Sequence, residues 1–409
     1  MTVVSGRPAG RPRTRMNRRP PTVWSQLDWW LLAAVVGLVA IGTLLVWSAT
    51  ASRDDLTGGD PTAYLSKQAV NVTIGAVLGG ILAVTDRRWI RMWAPVIYGG
   101  SVLGLLLIFV PGIGATVNGS HSWLQIGGMS VQPAELAKLG VIVGMALVLA
   151  ERAEGGLRSG MRDSDLVPAL VIAAVPALLI LGQPDLGTLM VMTAIVFGVL
   201  AMAGAAKRWL VGLIAVGVTA VMAAVSTGVL KEYQLLRFEA FTNPALDPRG
   251  AGYNTIQARI AIGNGGVFGQ GLFHGSQTQS GFVPEQHTDF VFTVAGEELG
   301  LIGAAVIIVL MAVVLWRCLR IARDADDMFG RLAAVGIACW FGFQAFQNIG
   351  MCLGIMPVTG VPLPFVSYGG TSMFASLMAV GLLVSIRRRT QQQIGLGVVV
   401  RSRMQRSRF

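Results

Sequence analysis

Two carboxylates and an imidazole stand close together in Pro284-Glu285-Gln286-His287-Thr288-Asp289-Phe290, where a long polar stretch gives way to an apolar run. Asp289 directly precedes Phe290, Val291 and Phe292. A carboxylate at a helix N-terminus is favoured by the dipole, so one reading of Asp289 is a simple cap. The other is a general base at a membrane boundary, where partial burial raises the pKa and the dipole and nearby cations lower it. Glu285 and His287 add titratable groups, and local chemistry does not choose among the three. As zinc ligands they lack paired spacing.

A second constellation lies in an apolar run. Glu135 and Lys138 are three residues apart and share one helix face. An ionisable pair inside a span reads either as a functional site or as a structural ion pair that fixes helix packing. Asp185, in Gln183-Pro184-Asp185-Leu186-Gly187, reads as a helix cap. At least one of Glu297 and Glu298, two turns beyond Asp289, is expected to face the interior. Gln344, Gln347 and Asn348 form a polar stripe that interhelical hydrogen bonding accounts for. The glycine cluster from Gly263 to Gly271 fails the GxGxxG pattern, because Phe268 takes the third glycine's place. It reads as a flexible loop, with anion binding through backbone N–H groups as the alternative.

Elements must position these groups, and composition says what kind. The chain is 53% hydrophobic and 13% charged, with mean hydropathy +0.63. Several runs reach the ~20 residues that span a bilayer. The fold class is therefore an all-α integral membrane protein of about ten spans, near 29–49, 68–85, 93–110, 133–150, 166–182, 186–204, 209–230, 290–316, 332–354 and 370–386. The net charge of +11 does not point to nucleic acid, because the basic residues cluster in tails and short loops. Arginines from Arg7 to Arg19, at Arg87, Arg88 and Arg91, from Arg317 to Arg331 and beyond Arg387 put both termini in the cytoplasm. Residues 1–26 read as a disordered basic cytoplasmic tail, 27–390 as the polytopic domain and 391–409 as a second basic tail. Cys318, Cys339 and Cys352 lie in or beside apolar spans and read as packing residues.

The outer loops carry the remaining signal. The connection 111–132 has no Lys or Arg but holds Asn118, Ser120, His121, Ser122, Trp123 and Gln125, an interfacial composition. The loop 355–369 is rich in Pro and Gly and cannot be helical throughout. The largest loop, about 231–289, is too long to be idle. Within it, Tyr253 to Ile260 reads as a short amphipathic helix.

Taken together these segments resemble the SEDS family of cell-wall polymerases (shape, elongation, division and sporulation). The resemblance covers about 28–389. It is carried by Gly119-Ser120-His121-Ser122-Trp123-Leu124, by Gln132-Pro133-Ala134-Glu135-Leu136-Ala137-Lys138 and by Gln183 to Thr188. It continues through Pro284 to Phe290, Glu297-Glu298-Leu299-Gly300 and Pro364 to Gly370. His274-Gly275-Ser276-Gln277 and Gly360-Val361-Pro362-Leu363-Pro364 are similar to the elongation-type, RodA-like branch rather than the division-type, FtsW-like branch.

The resemblance implies an inverting peptidoglycan glycosyltransferase that polymerises lipid II at the outer face of the cytoplasmic membrane. It implies Asp289 as the catalytic aspartate and Glu135 with Lys138 as the pair lining the cavity. It also implies a class B penicillin-binding protein as transpeptidase partner, within the elongation machinery. Candidates for substrate or pyrophosphate contacts are Arg259, His287, Glu285, Trp123, Gln132 and Ser367. A leaving pyrophosphate needs cations, supplied by Lys138, by Arg259 or by a divalent metal such as Mg or Mn. No nucleotide or organic cofactor is expected. The rival classes are a lipid II flippase, which intramembrane charge also suits, and a scaffold that only positions a transpeptidase.

Overall fold

Three helix starts among the described residues are set by aspartate side chains. In the computed structural model, which describes residues 27–406 apart from 118–119, 127–128, 156–161, 227–231, 245–246 and 248–249, three aspartates cap membrane helices. Asp28 Oδ1 accepts from Leu31 N (3.2 Å) at the head of α1 (Trp29–Ala51). Asp185 Oδ1 accepts from Thr188 N (2.9 Å) at the head of α7 (Leu186–Met202). Asp327 Oδ1 accepts from Gly330 N (3.0 Å) at the head of α14 (Met328–Leu353). Each satisfies one of the donors a helix start leaves open.

The other helices are α2 (Asp54–Thr57), α3 (Ala63–Val84), α4 (Arg87–Leu107), α5 (Pro133–Gly155), α6 (Asp163–Gly182) and α8 (Lys207–Ser226). They continue with α9 (Glu232–Thr242), α10 (Ala251–Gly265), α11 (Ser276–Ser280), α12 (Val291–Glu298), α13 (Gly300–Asp324) and α15 (Gly370–Arg406). Among the described residues, eight helices are long and apolar enough to cross a bilayer: α1, α3, α4, α5, α6, α13, α14 and α15. α7 is apolar but has only 17 residues. The expected amphipathic helix at 253–260 lies inside α10, and α15 runs on through most of the expected C-terminal tail. The expected N-terminal tail, 1–26, lies wholly outside the described residues.

Burial sorts the bundle into centre and rim. The apolar window of α5 is 83% buried and that of α14 is 72%, whereas α3 shows 17% and α4 22%. The helices carrying Glu135–Lys138 and Gln344–Asn348 therefore form the core of the bundle. α3 and α4 turn apolar side chains such as Val77, Ile81, Trp93 and Val96 outward, as lipid-facing helices do.

Two expectations are corrected. The connection 111–132 is a three-stranded antiparallel sheet, not an irregular loop: β1 (Gly114–Val117), β2 (Ser120–Ile126) and β3 (Met129–Val131), in the order β1-β2-β3. Ser122 and Leu124 are its buried, alternating positions. The strands are short and one inward residue is polar, so hydrophobic alternation did not mark them.

The expected span 290–316 is broken. Gly300 at φ +67 separates α12 from α13, and the crossing segment starts there. A break inside a helix exposes N–H groups. Here Leu301 N donates to Gly266 O (2.9 Å) and Ile302 N to Val267 O (3.2 Å). In return Gln270 N donates to Glu297 O (2.9 Å) and Gly271 N to Glu298 O (3.0 Å). The glycine cluster, which begins in the last turn of α10, is thus a strap bonded along the break. Its glycines are required by approach: a Cβ on Gly265 would lie 1.9 Å from Gly296 O, and one on Gly269 2.2 Å from Glu298 O.

Glu297 and Glu298 both face inward, fully buried. Glu297 Oε1 accepts from Gln277 N (2.8 Å), and its Oε2 accepts from Thr278 N (2.8 Å) and Thr278 Oγ1 (2.7 Å). It caps α11 from a distance in sequence. Glu298 Oε1 accepts from Ser48 Oγ (2.7 Å) and so ties the break to α1. At the opposite end of the bundle, buried Asp28 joins α1 to α13 and α15 through Arg317 Nη2 (2.6 Å) and Arg387.

Gly269→Ala combines a left-handed φ of +80 with the collision above. It is expected to cost about 2–4 kcal/mol and to lower the apparent melting temperature of the detergent-purified chain. An unchanged melting temperature would show that the strap does not hold the break.

Candidate active site

Four ionisable side chains from three chain segments, Glu135, Lys138, Asp185 and Asp289, lie within electrostatic reach of one another. Glu135 and Lys138 come from the first turns of α5. Lys138 Nζ donates to Glu135 Oε1 (2.7 Å) and to Gln344 Oε1 of α14 (2.7 Å), with no exposed side-chain surface. Its third side is closed by the Trp340 ring, 5.0 Å from Nζ to the centroid. Trp340 Nε1 also donates to Gln344 Oε1 (2.7 Å), and Gln344 Nε2 donates to Pro362 O (2.8 Å). Every polar atom of Gln344 is used.

Asp185 does more than cap α7. Its Oδ2 accepts from Thr188 Oγ1 (2.8 Å) and from Gln132 Nε2 (3.2 Å), the residue just before α5. Burial holds its carboxyl above the usual range; the fields of Lys138 and Glu135 reach it with opposite signs. Gln132 also donates its backbone N–H to Thr371 Oγ1 (3.1 Å) at the start of α15.

Asp289 lies in the turn before α12, outside the crossing segments, and its side chain keeps partial access to solvent. Burial pushes its carboxyl up to about 7, with Glu285 and Asp185 adding to the rise and Arg237 opposing it. The expected cap is not observed: the side chain of Asp289 does not close the N-terminus of α12, which lacks a side-chain cap altogether. Its carboxylate instead faces the 355–369 loop, where a Cβ on Gly360 (φ +69) would come within 3.2 Å of Oδ2.

The remaining candidates scatter. His287 is buried in an aromatic cluster, edge-on to Tyr64 (5.1 Å) and tilted to Tyr368 (5.8 Å). Burial lowers its pKa. Glu285 (φ +51) is exposed, and its Oε2 accepts from Thr288 Oγ1 (3.1 Å). Arg259 Nε donates to Leu353 O (3.2 Å) and closes the C-terminus of α14. Ser367 Oγ accepts from Leu363 N (2.8 Å) and shapes its own loop. Trp123 sits on β2 opposite Ala115, half-buried.

Sequence reasoning placed Asp289, Glu135, Lys138 and Gln132 in the group that the fold brings together. It read Asp185 as a cap alone. It read Gln344, Gln347 and Asn348 as interhelical glue, whereas they bond mainly to the Pro-rich loop: Gln347 Nε2 donates to Thr359 Oγ1 and Asn348 Nδ2 to Val361 O, at 2.8 and 2.7 Å. The signal was present, because a stripe of three amides opposite a loop with few donors invites amide-to-carbonyl bonds.

Chemically, these groups offer a carboxylate poised to take a proton near neutral pH, a buried cation, and spare acceptors. Glu135 Oε2, Gln347 Oε1 and Asn348 Oδ1 are buried without a partner, which is costly unless something else fills the role. Among the described residues no three His, Cys, Asp or Glu side chains gather as a metal cage.

The chain matches the family model for FtsW, RodA and SpoVE, described as a cell cycle protein, over residues 29–392. It is 36% identical to the probable peptidoglycan glycosyltransferase FtsW of Trichlorobacter lovleyi, over 90% of this chain and 95% of that one. It is 35% identical to the peptidoglycan glycosyltransferase MrdB of Escherichia coli, over 90% and 96%. A chain from a peptidoglycan synthase complex that coordinates polymerization and crosslinking superposes with a TM-score of 0.73 at 33% identity, covering 89% of this chain and 98% of that one.

Removing one partner of a buried ion pair strands the other. Glu135→Ala is expected to destabilise the chain by about 3–5 kcal/mol, read as a lower detergent melting temperature. Glu135→Gln, which still offers Lys138 an acceptor, should recover part of the loss. Equal melting temperatures for wild type and Glu135→Ala would contradict the pairing.

Proposed function

The chain belongs to the family of FtsW, RodA and SpoVE and is a peptidoglycan glycosyltransferase, and we propose that it polymerises lipid II with Asp289 as general base. The observation that carries the assignment is the setting of Asp289. Burial and two like charges hold its carboxyl near neutral, where a base works best. It would take the proton from the 4-hydroxyl of the acceptor GlcNAc as that oxygen attacks the anomeric carbon of the donor. The C–O bond to the pyrophosphate breaks, undecaprenyl pyrophosphate leaves with the electron pair, and the anomeric centre inverts. Such help is typically worth ~10²–10⁴-fold.

Lys138 is spent on Glu135 and Gln344. Its charge stabilises the cavity's developing anion at a distance, and its loss would also unfold the bundle. A requirement for Mg or Mn would have to be met with pyrophosphate oxygens completing the shell, since one or two carboxylates suffice for such ions only with phosphate ligands. No step of the reaction is routed through it.

The arginine distribution supports placing this cavity at the outer face of the cytoplasmic membrane. A class B penicillin-binding protein is the proposed partner, in keeping with the synthase complex whose chain superposes on this one. The elongation role rests on His274 to Gln277 and on Pro362; recruitment to the sidewall rather than the septum would bear it out. Relatives of both kinds match equally well.

Purified Asp289→Asn, folded and still bound to its transpeptidase, is expected to make no glycan from lipid II in detergent. Polymer of wild-type yield and length would end the assignment. A flippase has no activity without a bilayer, so polymer from the detergent-solubilised wild type also excludes transport as the sole function.

A further inference from the structure

We infer that Asn348 is a positioning residue that fixes the distance between Asp289 and the turn at Gly360, an inference that rests on Asp289 being the base. The side chain of Asn348 is completely buried in the last two turns of α14. Its Nδ2 carries two hydrogens, and both are used: one goes to Asp289 O (2.7 Å), the other to Val361 O (2.7 Å). Both partners are carbonyl oxygens, so the amide has only one orientation that bonds. Its Oδ1 meets no donor, so the two N–H bonds alone settle where the group sits.

Those two carbonyls bracket the reactive carboxylate. Asp289 O belongs to the residue itself. Val361 follows Gly360, the residue whose missing Cβ leaves room beside Asp289 Oδ2. One amide therefore holds the Asp289 backbone on one side and the wall facing its carboxylate on the other. Cys352 Sγ, one helical turn further along α14, also approaches Asp289 O at 4.0 Å.

The same helix face holds the cation. Gln344 is one turn before Asn348 and donates to Pro362 O (2.8 Å), the carbonyl next to Val361, while accepting from Lys138 Nζ (2.7 Å). Two consecutive loop carbonyls are pinned by two amides one turn apart, whose other contacts are Asp289 and Lys138. A helix is stiff over one turn. The spacing of base and cation is thus handed to α14 rather than left to two loops, which on their own would not hold a reacting group to the tolerance catalysis needs.

A purely structural staple would lower stability and leave turnover per folded molecule alone. A positioning residue lowers kcat while leaving substrate affinity in place. The test measures initial rates of lipid II polymerisation against lipid II concentration for full-length wild type, Asn348→Leu and Asn348→Ser, each purified with the transpeptidase partner and matched for folded protein. Leu keeps the branching and the number of heavy atoms and removes both donors. It is expected to lose kcat by about 10- to 100-fold, with KM moving less than about threefold. Ser keeps one donor too short to span both carbonyls and should lose less, again at wild-type KM. Should Asn348→Leu fail to fold, Asn348→Ser carries the test.

Wild-type kcat in a folded variant overturns the inference, and so does a loss confined to KM. Asp289→Asn is assayed in parallel. If it polymerises normally, the base assignment fails. If it is inactive while Asn348→Leu is unaffected, only the positioning role fails.

Discussion

Lys138 ends with none of its side chain reaching water, in the most buried helix of an apolar bundle. A charge left alone there would cost several kcal/mol, so its neighbours are not free to vary. Glu135 supplies the counter-charge from the same helix, Gln344 supplies an acceptor from α14, and Trp340 closes the remaining side. Satisfying Lys138 thus fixes α5 against α14. Because Gln344 spends its amide N–H on Pro362 O, it also fixes the Pro-rich loop over the cavity. The site's polar wall follows from solving one electrostatic problem.

The other wall is built from backbone. Asp289 is delivered by a turn that ends the long loop, and that loop is anchored where α12 gives way to α13. The break at Gly300 leaves N–H groups that the glycine strap accepts, and Glu297 caps α11 within the same loop. A continuous helix through Gly300 would have needed no strap. Four left-handed glycines, Gly266, Gly269, Gly271 and Gly300, gather at this junction.

Much of this was legible in the sequence, for reasons that can be stated residue by residue. Spans were legible because lipid demands apolar runs of a minimum length. Glu135 with Lys138 was legible because their spacing places them on one face of a helix where charge is out of place. Asp289 was singled out from Glu285 and His287 only by resemblance to a family. What separates them physically is the approach of Gly360, Asp185 and Asn348, all distant in sequence. The sheet at 114–131 stayed hidden because Ser122, a polar residue, occupies an inward position. The break at Gly300 stayed hidden because nothing within the span says that a glycine cluster some thirty residues earlier will return to bond it. Asp28 was passed over for the same reason: its partners Arg317 and Arg387 lie nearly the whole chain away.

Burial and like charge raise the Asp289 carboxyl toward neutrality, which suits it to the proposed role of base. A raised pKa means that the working, ionised form is lost as pH falls through about 7, not through the ordinary carboxylate range. The most direct measurement is the pH dependence of kcat/KM for lipid II polymerisation by the purified complex, which reports the free enzyme's essential base. The expected result is an acid limb with its midpoint near 7, below which the rate falls about tenfold per pH unit. A rate that stays flat well into the acid range, and falls only where an ordinary aspartate titrates, would contradict it.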